Sequence, residues 1–232
     1  MIDFHAHILP GIDDGARDLD MSLAMLSMLE KQGVGIVAAT PHFYAHRQPI
    51  ETFLQERQHA LDLLLSKRYE GMPVIAPASE VYLERGIRNI DLGPLCYGET
   101  NLLLLELPYT TYQSWFLEEA YNLCLSQSIT PVFAHLDRYL TMYPKDAINE
   151  ILEFDDAIIQ INHGALFSGQ RRKAVIKWIK EGRTVLFGSD CHNLKSRCSL
   201  ESQAQSVIES KLGKGWLTGY EEYSLRILNN PA

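Results

Sequence analysis

Short apolar, β-prone runs recur from one end of this chain to the other, and nearly every one of them ends in a histidine or an acid. The runs lie near Ile2 to His5, Gly35 to Thr40, Val74 to Ser79, Leu102 to Leu107, Thr130 to His135, Ala157 to Asn162 and Thr184 to Ser189, about seven strands by pattern. Amphipathic stretches separate them. Leu19, Leu23, Leu26 and Leu29 repeat at three and four residues and place one apolar stripe on a helix that stops near Gly33. Phe53, Leu61 and Leu64 mark a second helix, Trp115, Phe116, Ala120 and Leu123 another, and Val175, Ile176 and Ile179 a later one. Two terminal segments, around Leu200 to Leu212 and Tyr220 to Leu228, also read as helical. This alternation predicts an α/β protein of parallel βα units, and about seven of them favour a closed or nearly closed barrel over an open sheet.

The chain has 232 residues, 46% of them hydrophobic, enough for one substantial core, so a single domain over residues 1–232 is expected. The start, MIDFHAHILP, lacks the basic segment and long apolar stretch of a secretory leader, and no run approaches the length of a membrane span. Cys96, Cys124, Cys191 and Cys198 form no CxxC pair, which points to a reducing compartment and hence the cytoplasm. A net charge of −8 argues against a nucleic-acid-coating surface. Acids gathered as metal ligands can produce such a figure without making the active site negative.

In a parallel barrel the C-terminal strand ends open on one face, so strand-end residues far apart in sequence meet at one mouth. His5, His42, Glu80, Glu106, His135 and Asp190 occupy such positions. His5 and His7 stand two apart, a spacing that on a strand turns both imidazoles to the same side. Asp13-Asp14-Gly15 follows, and Asp190 and His192 repeat the spacing. Glu106 closes the run NLLLLEL, where an unpaired buried carboxylate costs several kcal/mol, roughly, unless a cation partners it. Imidazole and carboxylate without thiolate suit manganese, iron or zinc, and the oxygen-rich share leans toward manganese. His5, His7, Asp14, His42, Glu80, Glu106, His135, Asp190 and His192 are too many for one ion and suit three. Asp14, Glu80, Glu106 and Asp190 carry about four negative charges against about six positive from three divalent ions, so such a centre attracts phosphate. Water acidified there attacks phosphorus without a protein nucleophile. Arg138 and Arg197, on loops beyond His135 and His192, are placed to clamp non-bridging phosphate oxygens.

Cys191 to Arg197 spells C-x5-R, the spacing of cysteine-dependent tyrosine phosphatases. That chemistry needs a thiolate cradled by backbone N–H groups in a glycine-containing loop, and this stretch has no glycine. His46, Arg47, His59 and His163 are left outside the site. Tyr109, Tyr112, Tyr139 and Tyr143 fall near rim loops, where packing and recognition are equally served.

MIDFHAH, DDG, ATPH, SEVYL, LLLLELP, TPVFAHLDRY and FGSDCHN together resemble the PHP (polymerase and histidinol phosphatase) superfamily over nearly the whole chain. Within it the chain looks most like the bacterial manganese-dependent protein tyrosine phosphatases of capsule and exopolysaccharide systems, the CpsB and YwqE type. The resemblance implies a distorted seven-stranded βα barrel and a division of ligands among three metals. His5, His7, Glu80 and Asp190 would hold the first, Glu80, Glu106 and His135 the second, and Asp14, His42 and His192 the third. It matches Arg138 and Arg197 to phosphate-binding arginines and implies a tyrosine autokinase with a phosphorylated tyrosine-rich tail as partner. The expected activity is phosphotyrosine-protein hydrolysis, a phosphoric monoester hydrolase reaction. A small phosphomonoester such as histidinol phosphate, or a non-catalytic scaffold that only binds phosphorylated tails, are the competing readings.

Overall fold

The structure, a computed structural model, describes residues 1–228. It is a mixed α/β protein whose strand pairings are all parallel. In chain order the elements are β1 (Ile2–Ala6), α1 (Leu19–Lys31), β2 (Ile36–Ala39), β3 (His42–Phe43), α2 (Ile50–Leu65), β4 (Val74–Pro77), β5 (Glu80–Tyr82) and β6 (Leu102–Glu106). There follow α3 (Trp115–Gln127), β7 (Thr130–Phe133), α4 (Leu136–Tyr139), α5 (Lys145–Leu152), β8 (Ile158–Asn162), α6 (Gly169–Lys180), β9 (Val185–Gly188), α7 (Glu201–Leu212) and α8 (Lys214–Leu228). One sheet has the order β1-β2-β4, the other β3-β5-β6-β7-β8-β9.

Two of the expected strands are each followed by a second short strand. The run Gly35 to Thr40 holds β2, with β3 following just beyond it past Pro41, and Val74 to Ser79 holds β4, with β5 following just beyond it after Pro77. A proline has no N–H for the ladder, so pairing lapses and resumes in the second sheet. β1 and β9 meet where Ala6 pairs with Cys191. There Asp190 N donates to His5 O at 2.6 Å and His7 N to Cys191 O at 3.0 Å. Pattern reading overlooks α4 and α5, which are short and lie between β7 and β8. The expected terminal helices are present, the second beginning at Lys214 rather than Tyr220.

The period-two rule sorts the strand side chains. Leu102 and Leu104 of β6 join Phe4, Val132, Ala134, Ile158 and Leu186 in one apolar cluster, whereas Leu103 and Leu105 pack with Phe133, Ile159, Ile161 and Phe187 against the helices. Each fully buried leucine contributes roughly 1.5–3 kcal/mol by leaving water. By the same alternation Gln160 and Asn162 of β8 share the face of Ile158, and both are buried.

His163, just after β8, stacks on Phe187 and stands 2.9 Å from Glu201 Oε2 of α7, both side chains being essentially buried. Burial opposes charge on this imidazole, but Glu201 and more distant Asp3 outweigh it and raise the pKa of His163. A raised folded-state pKa means that the pair stabilises the protein fully below the unfolded value of about 6.5 and less as pH climbs through the folded value. Thermal melts should therefore show wild type losing stability on the alkaline side of about pH 6.5 faster than Glu201→Gln; parallel curves would refute this.

Candidate metal centre

The sequence-predicted ligands come together at one mouth, although His42 and Glu80 stand at the start of short strands and not at the end of the preceding ones. His5 lies near the end of β1 and His7 just beyond it, His42 opens β3, Glu80 opens β5, Glu106 ends β6, and His135, Asp190 and His192 stand in the turns after β7 and β9. His135 and Asp190 reach their places through left-handed backbone, at φ 34° and φ 52°. Strain of this kind, of order 1–3 kcal/mol per residue, persists where surroundings enforce it. The Asp190–His192 pair is thus set by a turn, not by strand alternation as the spacing alone suggests.

Glu80 is the hub. Its Oε2 stands 3.1 Å from His5 Nε2, 3.3 Å from His7 Nε2 and 3.0 Å from His42 Nδ1, and its Oε1 stands 3.0 Å from His135 Nε2. Glu106 Oε1 is 3.4 Å from the same His135 nitrogen, and Glu106 is partly exposed rather than buried. Asp14 Oδ1 lies 3.5 Å from His42 Nε2 and 3.3 Å from His192 Nε2. Asp190 Oδ1 stands 3.7 Å and 3.6 Å from His5 Nε2 and His7 Nε2.

These donors fit a cation. Gln160 Oε1 accepts from His135 N at 2.6 Å, so it is an acceptor for His5 Nδ1 as well, 3.0 Å away. His7 Nδ1 donates to Asp13 Oδ2 at 2.7 Å, and His192 Nδ1 donates to the carbonyl of Asp190 at 3.0 Å. Each ring nitrogen so committed leaves Nε2 to carry the lone pair. Yet His5 Nε2 and His7 Nε2 face each other at 3.1 Å, a contact that repels without a positive charge between or beside them. His192 Nε2, Glu80 Oε1 and His42 Nδ1 are buried without a hydrogen-bond partner of acceptable geometry, which costs about 1–3 kcal/mol each unless another partner satisfies them. Among the described residues three groups could hold an ion: His7, Asp14, His42 and His192; His5, His7 and Asp190; and His42, Glu80 and Glu106.

The electrostatics agree. Burial disfavours charge on His7, but Asp13 and Glu80 raise its pKa to about 10; burial likewise opposes charge on His135, and Glu106 and Glu80 lift it to about 9. Burial raises the pKa of Glu80 but His5 and His42 hold it well below the usual range. The acids therefore hold positive charge strongly at this spot, where protons compete with metal. Asp190 carries both arginines: Arg138 Nη2 contacts its Oδ2, and Arg197 Nη2 lies 2.8 Å from its Oδ1. Burial and the repulsion of His7 push His192 down to about 3, keeping its imidazole neutral.

Three positioning residues escape a reading of the sequence. Asp13 orients His7, accepts from His42 N at 3.1 Å and from Gly15 N at 2.9 Å, and is held at about pKa 2 by His7 against the effect of burial. Gln160 Nε2 donates to Asn162 Oδ1 at 3.1 Å, and Asn162 Nδ2 donates to Asp190 Oδ2 at 2.8 Å. This chain has a fixed polarity, since a backbone N–H begins it and a carboxylate ends it. The available signal was two amides at alternate positions of an otherwise apolar run, AIIQIN. Of the residues set aside, His163 faces Glu201, His59 is exposed on α2, and His46 pairs with Glu84 at 2.8 Å. Tyr139 and Tyr143 donate to the carbonyls of Leu107 and Pro108 and serve packing. Cys191 is fully buried and its thiol is pushed far up by burial, so no thiolate nucleophile is available there.

The family model for capsular polysaccharide synthesis proteins of the CpsB/CapC type matches residues 1–221. The chain belongs to the CpsB/CapC family. It is 30% identical to the tyrosine-protein phosphatase YwqE of Bacillus subtilis (strain 168), over 92% of this chain and 85% of that one. It is 28% identical to the tyrosine-protein phosphatase CpsB of Streptococcus pneumoniae, over 92% and 91% of the two chains. A solved structure described as YwqE from Bacillus subtilis and CpsB from Streptococcus pneumoniae, unique metal-dependent tyrosine phosphatases, superposes with a TM-score of 0.80 at 24% identity, covering 100% of this chain and 96% of that one. That likeness establishes a shared fold, and family membership rests on the family match and the sequence relatives. Among the described residues no helix is long and apolar enough to cross a membrane.

Loss of the Asp13 carboxylate should loosen the site without removing a ligand. For Asp13→Asn, manganese affinity measured by calorimetry should fall by about 10–100-fold. Affinity equal to wild type would show that Asp13 does not position His7.

Proposed function

We propose that this family member is a metal-dependent protein tyrosine phosphatase of the cytoplasm that acts on a phosphotyrosine protein, the tyrosine-rich tail of an autokinase controlling capsule or exopolysaccharide synthesis. The observation that carries the reading is the meeting of His5, His7, Asp14, His42, Glu80, Glu106, His135, Asp190 and His192 at one mouth, with Arg138 and Arg197 beside them. Relatives named tyrosine-protein phosphatases favour it over the histidinol phosphate and scaffold readings.

The ligand roles follow the division His5, His7, Glu80 and Asp190; Glu80, Glu106 and His135; Asp14, His42 and His192, with three divalent ions, manganese foremost given the share of oxygen donors. His7 also belongs geometrically with the third set. When bound, such ions supply Lewis acidity that activates water near neutral pH. The protein's part is orientation. Gln160, Asp13 and the Asp190 carbonyl hold protons on Nδ1 of His5, His7 and His192, leaving Nε2 of each directed inward. Arg138 and Arg197, half-buried, present guanidiniums that neutralise charge growing on the transferred phosphoryl group. Both rest on Asp190 in the free protein, and phosphate would compete for them.

We further take the two sheets as one distorted seven-stranded barrel forming a single domain. Support comes from the bridge between Ala6 of β1 and Cys191, just beyond β9, and from the continuity of β2 with β3 across Pro41 and of β4 with β5 beyond Pro77.

Treatment with a chelator should abolish hydrolysis of a phosphotyrosine peptide, and manganese should restore it, while Cys191→Ser keeps most activity. An inactive Cys191→Ser variant together with turnover by metal-stripped protein would overturn the mechanism.

A further inference from the structure

Beside the metal centre lies a hollow of about 440 Å³ lined by Ile12, Asp13, Asp14, His42, Tyr44 and Arg47, among others. It shares His42 and Asp14 with the centre and so opens from the same mouth. Tyr44 forms its aromatic wall, half-buried, with its ring centroid 5.4 Å from His42 and 5.5 Å from Tyr82. The guanidinium of Arg47, an exposed residue, lies 4.0 Å over the Tyr44 ring, and no carboxylate among the described residues pairs with it. Nothing in the chemistry attributed above to the metal ligands and to Arg138 and Arg197 uses either residue.

We propose that the face of Tyr44 seats the ring of the phosphorylated tyrosine and that Arg47 takes an acidic side chain next to it in the substrate. This rests on the phosphotyrosine phosphatase reading and adds to it a sequence preference. A phosphate drawn to cations that His42 and Asp14 would hold brings its aryl group, one ester oxygen away, toward Tyr44 in the same hollow. Aromatic rings pair at centroid separations of about 4.5–7 Å, the spacing already seen between Tyr44 and its neighbours. Arg47 covers that face in the free protein through a cation–π contact, which is weak at an exposed site. An incoming ring displaces it, and a carboxylate on the peptide gives the freed guanidinium a stronger, bidentate partner. In a protein of net charge −8 an unpaired arginine on the rim is a selective feature, because elsewhere the overall field repels acidic peptides.

The test uses the metal-replete protein and two phosphotyrosine peptides that differ only in glutamate or glutamine flanking the phosphorylated residue. Wild type should show a kcat/KM for the glutamate peptide higher by about tenfold. In Arg47→Ala that ratio should fall to near one, and in Arg47→Lys most of it should survive. Tyr44→Leu should weaken both peptides by about tenfold, chiefly in KM, with Tyr44→Phe close to wild type. The same comparisons are made by calorimetric titration with non-hydrolysable phosphonate peptides, so that binding is read even without turnover. If wild type hydrolyses neither peptide, the phosphatase reading fails, whatever the titrations show. A glutamate preference that persists in Arg47→Ala, or an unchanged KM and affinity in Tyr44→Leu, overturns the present inference and leaves the phosphatase reading standing.

Discussion

Glu80→Gln should lower phosphotyrosine hydrolysis by at least about a thousandfold and should purify with less bound metal. The substitution keeps the volume of the side chain and removes its charge. Four imidazoles stand within 3.3 Å of the two carboxylate oxygens, so this one group offsets positive charge for His5, His7, His42 and His135 together. A neutral amide presents a donor to at least one nitrogen whose lone pair faces inward, and cations held there would lose an anionic partner. Elemental analysis of the purified variant, kinetics at saturating manganese and a far-ultraviolet spectrum to establish folding check the claim together. A folded Glu80→Gln protein with wild-type turnover would exclude Glu80 from the centre.

The second large effect is structural. An alanine Cβ at position 188 would stand 2.6 Å from His5 Cβ, 2.8 Å from His5 N and 2.9 Å from Gln160 Nε2. None of these is the free end of a flexible chain. His5 and its backbone are fixed by the β1–β9 contact, and Gln160 by the hydrogen bonds on either side of it. Gly188→Ala should therefore destabilise the protein by about 3 kcal/mol and lower its melting temperature by about 6–12 °C, displacing His5 as it does so. Gly169→Ala is the matched control, because a Cβ there meets nothing within 4 Å. Equal melting temperatures for the two variants would show that β1 and β9 do not approach as closely as described. Gly15, whose Cβ would fall 2.2 Å from the carbonyl of His7, should respond in the same way.

These two glycines show where a reading of the sequence stops. DDG and GSDCH are recognisable as turns after strands, and Asp14 and Asp190 in them as candidate ligands. That Gly15 and Gly188 are required by contact with His7 and His5 follows only from how the loop after β1 folds back and how closely β9 approaches β1. The same holds for Gln160. Its place in an apolar strand marks it as costly to bury, but not that its carbonyl oxygen orients two histidines from other strands. Asp13 and Asp14 are adjacent and chemically identical, and only the fold turns one toward the Nδ1 of His7 and the other toward His42 and His192.

From sequence alone came the α/β class, the parallel order of the strands, the site's place at one mouth, and the residues gathered there. Those properties rest on local rules: period-two alternation, helical stripes, and the energetic cost of a polar residue at the end of an apolar run. Tertiary structure decided the short strands that follow Pro41 and Pro77, the left-handed turns that present His135 and Asp190, and the second layer of Asp13, Gln160 and Asn162. It also set Tyr44 and Arg47 beside the metal mouth. Such relations depend on the approach of segments far apart along the chain, to within a few tenths of an ångström, and no local pattern encodes a distance of that kind.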